Sequence, residues 1–218
     1  MTKALYIFSG LGADERVFQR LDFSDYSPTF IKWAVPEIDE SIESYATRLL
    51  SQINGPEPTL IGLSFGGLIA VEVAKQIATH KVILIASAKT KNEIPFYYRM
   101  AGKIGLPKFL PAKLLKRSNF LTNWFFGTET EFDRQLLKQI LLETDSVFLK
   151  WAISRVACWS NRIQLQNIIH IHGTSDRILP FAFVKADVGI KGGGHLMTLN
   201  KADELTAVIR KLLLNPRN

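Results

Sequence analysis

Nearly unbroken apolar runs punctuate the chain at Ala4 to Phe8 (ALYIF), Thr59 to Leu63 (TLIGL), Val82 to Ala86 (VILIA) and Ile168 to Ile171 (IIHI). Thr29 to Val35 (TFIKWAV) and Ala186 to Lys191 are weaker versions. Runs of this length predict strands buried on both faces. Between them lie segments of helical period. Ile42, Tyr45, Ala46, Leu49, Leu50 and Ile53 mark one amphipathic helix, closed by Asn54-Gly55-Pro56. The run from Thr59 passes straight into a second helix ending near Ala74, and a further helix starts near Asp14. Leu205, Val208, Ile209, Leu212 and Leu213 mark the last helix, with Asn200 as its expected cap and Asn215-Pro216 as its end. Strands alternating with helices predict a mostly parallel sheet of about six strands between helical layers.

The alternation stops between Ala88 and Asn161, where the pattern is helical and aromatic. Phe132, Leu136, Leu137, Ile140 and Leu141 predict one buried helix face, and Phe148, Trp151, Ala152 and Arg155 lie on the next helix, capped by Thr144 or Asp145. Pro107 and Pro111 break the earlier part into short pieces. Phe96, Tyr97, Tyr98, Phe109, Phe120, Trp124, Phe125 and Phe126 crowd into it. Residues 88–161 are expected to form either a small second core or a helical lid whose apolar underside lines a cleft, and the two are compatible.

A length of 218 residues suits one domain spanning 1–218 with that segment inserted. The net charge of +7 is local: Ile94 to Thr128 holds Arg99, Lys103, Lys108, Lys113, Lys116 and Arg117 and no acidic residue, and the remaining 21 basic residues (27 less 6) nearly balance 20 acidic ones. That argues against a nucleic-acid partner and leaves a peripheral anionic surface as a possible contact. No run reaches the length of a membrane span, and the N-terminal apolar run is too short for a signal peptide. The single cysteine, Cys158, excludes an internal disulfide, is expected to be a small buried side chain, and suits a cytoplasmic location. Oligomeric state is not legible.

The candidate chemistry begins at Gly62-Leu63-Ser64-Phe65-Gly66, where the strand turns into the helix. So sharp a turn forces Ser64 toward strained backbone, needs glycine at 62 and 66 for the chains to pass, and pushes the hydroxyl out at the carboxyl edge of the sheet. The alternative is a glycine-rich turn that only packs a helix closely on a sheet. The Phe65 N–H opens the helix and can face a developing oxyanion. Ser9-Gly10-Leu11-Gly12, after the first strand, would bring the Leu11 N–H to the same place. A dinucleotide reading of that loop fails, because its sixth position is Glu15 and no acidic residue ends the next strand. Asp176 lies in a loop past a strand, where a carboxylate can orient an imidazole, and Asp145 is its main rival. His195 follows Gly192-Gly193-Gly194 at the same edge. His170 and His172 share a strand face, but no third ligand with suitable spacing accompanies them, so no metal is expected.

Ser64, Asp176 and His195 in that chain order, each after a strand, resemble the α/β-hydrolase superfamily, specifically its small members with a helical lid. Ser9-Gly10-Leu11-Gly12 resembles the family's His-Gly oxyanion loop with Ser in place of His, and HGTSDRILP with GGGH resembles its acid and histidine loops. The resemblance implies a serine hydrolase that needs no metal or organic cofactor and cleaves an ester or thioester of a small apolar acyl substrate through an acyl-enzyme. A carbon–carbon bond hydrolase or lyase, or a non-catalytic ligand-binding module, are the alternatives. Two departures are expected: the family's first two antiparallel strands are missing, and the 18 residues between Asp176 and His195 leave room for at most a shortened helix.

Overall fold

The computed structural model describes residues 4–11, 13–109 and 111–214, without the side chains of Lys108 and Ala112. Gly12 of the first glycine loop and the Asn215-Pro216 end signal lie outside the described residues. Among the described residues six strands, all parallel, form one sheet: β1 (Leu5–Phe8), β2 (Thr29–Phe30), β3 (Thr59–Leu63), β4 (Lys81–Ile85), β5 (Ile168–Gly173) and β6 (Val188–Ile190), in the order β2-β1-β3-β4-β5-β6. Because the runs are apolar throughout, alternate residues feed opposite cores. Tyr6, Phe8, Leu60, Val82 and Leu84 face one core, with α1 (Ile42–Leu49) and α2 (Phe65–Ala74). Leu5, Ile7, Ile61, Ile83 and Ile85 face the other, which holds Leu205, Ile209 and Leu212 of α10 (Ala202–Leu214). This is the helix-sheet-helix architecture of an α/β hydrolase.

Between β4 and β5 run α3 (Phe96–Lys103), α4 (Leu106–Phe109), α5 (Ala112–Leu115), α6 (Phe120–Phe126), α7 (Glu131–Glu143) and α8 (Ser146–Cys158). The last two reach deep into the protein. Phe148 and Trp151 of α8 join Trp33, Tyr45 and Phe65 in one aromatic cluster, and Leu136, Leu137, Ile140 and Leu141 of α7 join the opposite core. Asp145 caps α8, its Oδ1 accepting from the Val147 and Phe148 amides.

Several expectations need correction. The run Thr29 to Val35 pairs only over Thr29–Phe30 and through the Ile31 amide. Beyond that point Gln52 binds both polar groups of the Lys32 backbone and the Tyr45 hydroxyl those of Ala34, which lifts the chain off the sheet edge. Phe132 is exposed, with the Arg20 guanidinium over its ring. Asn200 does not cap the last helix: it ends α9 (Met197–Asn200), and its amide turns to the Gly127 carbonyl and Glu129. Cys158 is exposed, because Ala157 and Trp159 take the buried face at the end of α8. The connection between β5 and β6, by contrast, is as short as expected and keeps only a single 3-10 turn, Phe181–Phe183.

Candidate active site

The sheet order reverses between β1 and β3, which lie side by side with Phe8 opposite Gly62. Segments leaving the carboxyl ends of two such strands diverge and open a crevice. Here those segments are Ser9-Gly10-Leu11 and the turn at Ser64. The turn is as tight as the sequence implies. Ser64 adopts φ 51 and ψ −120, a conformation that costs a non-glycine residue about 1–3 kcal/mol. Its backbone is fixed on both sides, the amide donating to the Ile85 carbonyl and the carbonyl accepting from the Ser87 hydroxyl. A β-carbon on Gly66 would stand 2.2 Å from the Ser9 carbonyl oxygen, and one on Gly62 2.5 Å from the Gly67 Cα, so the chains pass only because both are glycine.

The structure brings the three candidate side chains into one chain of hydrogen bonds. Ser64 Oγ lies 2.8 Å from His195 Nε2, and His195 Nδ1 lies 2.8 Å from Asp176 Oδ2. Asp176 and His195 are buried. The other oxygen of Asp176 accepts from the Ile178 and Leu179 amides at 2.8 and 2.9 Å. Burial alone would favour the neutral acid, but the field of His195 and the hydrogen bonds from His172 and His195 outweigh it and hold the carboxyl well below the usual carboxylate range. Asp145, the rival acid, is occupied in capping α8.

Leu11, Ser64 and Phe65 line an apolar cavity of about 360 Å³ together with Leu68, Tyr98 and Leu106. Burial, reinforced by Tyr97 and Asp176, pushes the Tyr98 phenol up to about 12, so it stays a neutral donor. A smaller apolar cavity of about 100 Å³, lined by Val17, Leu137 and His195, also touches Leu11 and Ser64. Among the described residues neither the Leu11 nor the Phe65 amide donates to a protein acceptor.

Three supports were not foreseen. His172 sits behind the acid, with Nε2 2.7 Å from the Leu179 carbonyl and 3.3 Å from Asp176 Oδ2. A carbonyl can only accept, so Nε2 carries the proton, Nδ1 is the acceptor, and His170 Nε2 donates to it at 3.0 Å. His170 stays neutral: burial, followed by His172 and Lys89, holds its pKa well below the ordinary histidine value. The shared face of the two histidines thus serves the acid loop. Among the described residues no group of three or more His, Cys, Asp or Glu side chains is placed to hold a metal. The Trp33 indole donates to Ser9 Oγ at 3.0 Å and steadies the loop before Leu11. Gly127, after α6, packs on Gly194, the Leu196 amide donates to the Phe126 carbonyl, and the Phe126 ring stands edge-on to His195. Only the histidine pair had a readable signal, its direct continuity with the loop that carries Asp176.

No curated protein matches the sequence. Among solved structures, a hydrolase from Pseudomonas aeruginosa superposes with a TM-score of 0.74 at 13% identity, covering 98% of this chain and 91% of that one. The enol-lactonase of Burkholderia xenovorans gives a TM-score of 0.70 at 14% identity, with coverage of 99% and 92%. An esterase from Exiguobacterium antarcticum gives 0.69 at 16%, with coverage of 98% and 92%. At these identities the likeness speaks for the fold. The model of the alpha/beta hydrolase family matches residues 8–208, and with nearly the whole length matched the chain belongs to that family.

Proposed function

We propose that the protein is a serine hydrolase that cleaves an ester or thioester of an apolar acyl group through an acyl-enzyme. The observation that carries this reading is the unbroken line Ser64–His195–Asp176 at 2.8 Å per link, ending at the wall of an apolar cavity. Neutral His195 takes the Ser64 proton as Oγ attacks the carbonyl carbon. The Leu11 and Phe65 amides receive the oxyanion, and His195 returns the proton to the leaving group. Water then repeats the sequence on the acyl-enzyme. Asp176 fixes the imidazole tautomer and stabilises its protonated form, while the acyl chain occupies the 360 Å³ cavity. Residues 88–161 act as the cap over that cavity within a single domain.

A fluorophosphonate probe should label the native protein and fail to label Ser64→Ala, whose turnover should fall on the order of 10⁴ to 10⁶. Across esters and thioesters graded by chain length, kcat/KM should climb about fourfold per methylene, the equivalent of about 0.8 kcal/mol, until the cavity is full. Equal labelling of both proteins would remove Ser64 as nucleophile.

A further inference from the structure

The cap has a second face. α3, α4 and α5 all pack on α8 and so form one layer. Tyr98, Ala101 and Leu106 line the cavity beside Ser64, while Phe96, Met100, Ile104, Phe109 and Leu114 stand in solvent, Phe109 at 80% and Ile104 at 70% exposure. Soluble proteins do not usually leave so many large apolar side chains together in water. Exposed cations are interleaved with them at Lys103, Lys113 and Arg117, and no acidic residue occurs between Ile94 and Thr128. At the side of α3 a cleft of about 420 Å³ is lined by Lys91, Arg99, Lys103, Phe96, Met100 and Trp159. Among the described residues none of these three cations has an ion-pair partner, and Arg99 Nε is buried without an acceptor.

From this we infer that the outer face of α3, α4 and α5 docks on an anionic lipid surface, with phosphate headgroups meeting the Lys91–Arg99–Lys103 cleft and the exposed apolar side chains entering the acyl boundary. The cleft is short of negative charge: burial, then Arg162, Arg99 and Lys103, hold the Lys91 ammonium below its ordinary pKa, and a bound anion relieves that repulsion. An acidic soluble protein would satisfy the cations but leave Phe96, Ile104 and Phe109 in water. A nucleic acid would stack on the aromatic rings and leave Met100, Ile104 and Leu114 unmatched. A lipid interface is the partner that meets both halves of the pattern. The docked face is also the roof of the cavity at Ser64, so a lipid-borne acyl chain would reach the site without crossing water, a step that rests on the hydrolase reading above. Docking itself does not.

The test is flotation of the full chain carrying Ser64→Ala, so that binding is read apart from turnover. The vesicles are phosphatidylcholine alone, or phosphatidylcholine with phosphatidylserine at about a third of the lipid. Coflotation is expected with the anionic vesicles only, falling steeply when salt is raised from about 0.1 M to several-fold higher. Arg99→Gln with Lys103→Gln and Lys113→Gln should weaken it on the order of 100-fold, about fivefold per cation. Phe96→Ser with Ile104→Ser and Phe109→Ser should weaken it with every charge retained. If either triple variant melts early, the exposed single changes Lys103→Gln and Ile104→Ser carry the same test. No coflotation with anionic vesicles, equal coflotation with both kinds, or displacement by soluble polyglutamate with no effect of the apolar changes would each overturn the proposal. None of these outcomes bears on labelling of Ser64, and failure to label Ser64 would leave the docking result standing.

Discussion

Substituting Gly66 by Ala adds one methyl group where two backbone carbonyls converge. The new carbon would lie 2.2 Å from the Ser9 oxygen and 2.3 Å from the Phe8 oxygen, against an ordinary contact of at least 3.4 Å, so about 1.2 Å (3.4 less 2.2) must be found. Neither oxygen belongs to a side chain that can swing away. Phe8 is the last residue of β1 and is held in register with Gly62, so the movement falls on Ser9, Gly10 and Leu11. Overpacking of this kind costs about 1–3 kcal/mol, and a clash with backbone belongs at the upper end. For a chain of this size about 3 kcal/mol lowers the melting temperature by roughly 6–12 °C. The same shift carries the Leu11 amide away from Ser64. Loss of one oxyanion donor costs about 10²–10³ in kcat, and a 1 Å misplacement about 10². Gly10→Ala is the control, since its nearest neighbour would be at 3.5 Å and it should melt within about 2 °C of the native protein. Scanning calorimetry and ester turnover measure both quantities. A Gly66→Ala protein that melts with the native one and keeps half its kcat would refute the packing argument.

Asp176→Asn should lower kcat on the order of 10⁴ by favouring the wrong imidazole tautomer, whereas Asp145→Asn should cost at most about 1 kcal/mol of stability and leave kcat nearly unchanged, because its role is a helix cap. The reverse ranking would reassign the acid. The depressed pKa of Asp176 stabilises the fold fully above the ordinary Asp range, near 3.9, and that contribution is lost as pH falls through the folded value. The melting difference between native protein and Asp176→Asn should therefore be constant from pH 5 to 7 and narrow only below about pH 4; narrowing at higher pH would contradict it. His172→Phe removes the donor to the Leu179 carbonyl and orphans the His170 N–H, so it should cost about 1–3 kcal/mol per unmet group but less than tenfold in kcat, and a loss rivalling Asp176→Asn would make His172 part of the proton chemistry. Trp33→Phe keeps the ring stack but drops the hydrogen bond to Ser9, and should lower kcat severalfold with KM held; a KM effect alone would place Trp33 in substrate binding.

What the sequence made legible was whatever one local segment decides. The strands Leu5–Phe8, Thr59–Leu63 and Lys81–Ile85 declare themselves by apolar runs, and the turn at Ser64 by glycines that leave no room for a β-carbon. The order Ser64, Asp176, His195 was readable because each follows a strand of a parallel sheet, which brings distant residues to one edge. Features decided by partners far along the chain were hidden. TFIKWAV carries strand propensity to Val35, but Gln52 and the Tyr45 hydroxyl take its backbone after Ile31. Phe132 keeps the helical period of its neighbours yet faces Arg20, which periodicity cannot see. Asn200 is a good capping residue by type, but a turn more than 70 positions earlier claims its amide. For His172 the sequence showed only its spacing to His170, which was enough to set a metal role aside but not to reveal the Leu179 carbonyl as its partner.

The seat of α6 bears on how this enzyme could be rebuilt. The Trp124 carbonyl accepts from Arg177, the neighbour of Asp176, and the Arg177 guanidinium lies over the Trp124 ring at 4.4 Å. Two residues on, the Phe126 carbonyl holds the amide after His195, and Gly127 packs on Gly194. One short helix therefore braces both the acid loop and the histidine loop from outside the sheet. On the proposed function, exchanging residues 88–161 as a block would withdraw the support of Asp176 and His195 together with part of the wall of the cavity at Ser64. A chimera that replaces this segment must keep Trp124 to Gly127 in place, and a version with the segment excised would leave the loops of Asp176 and His195 without these contacts.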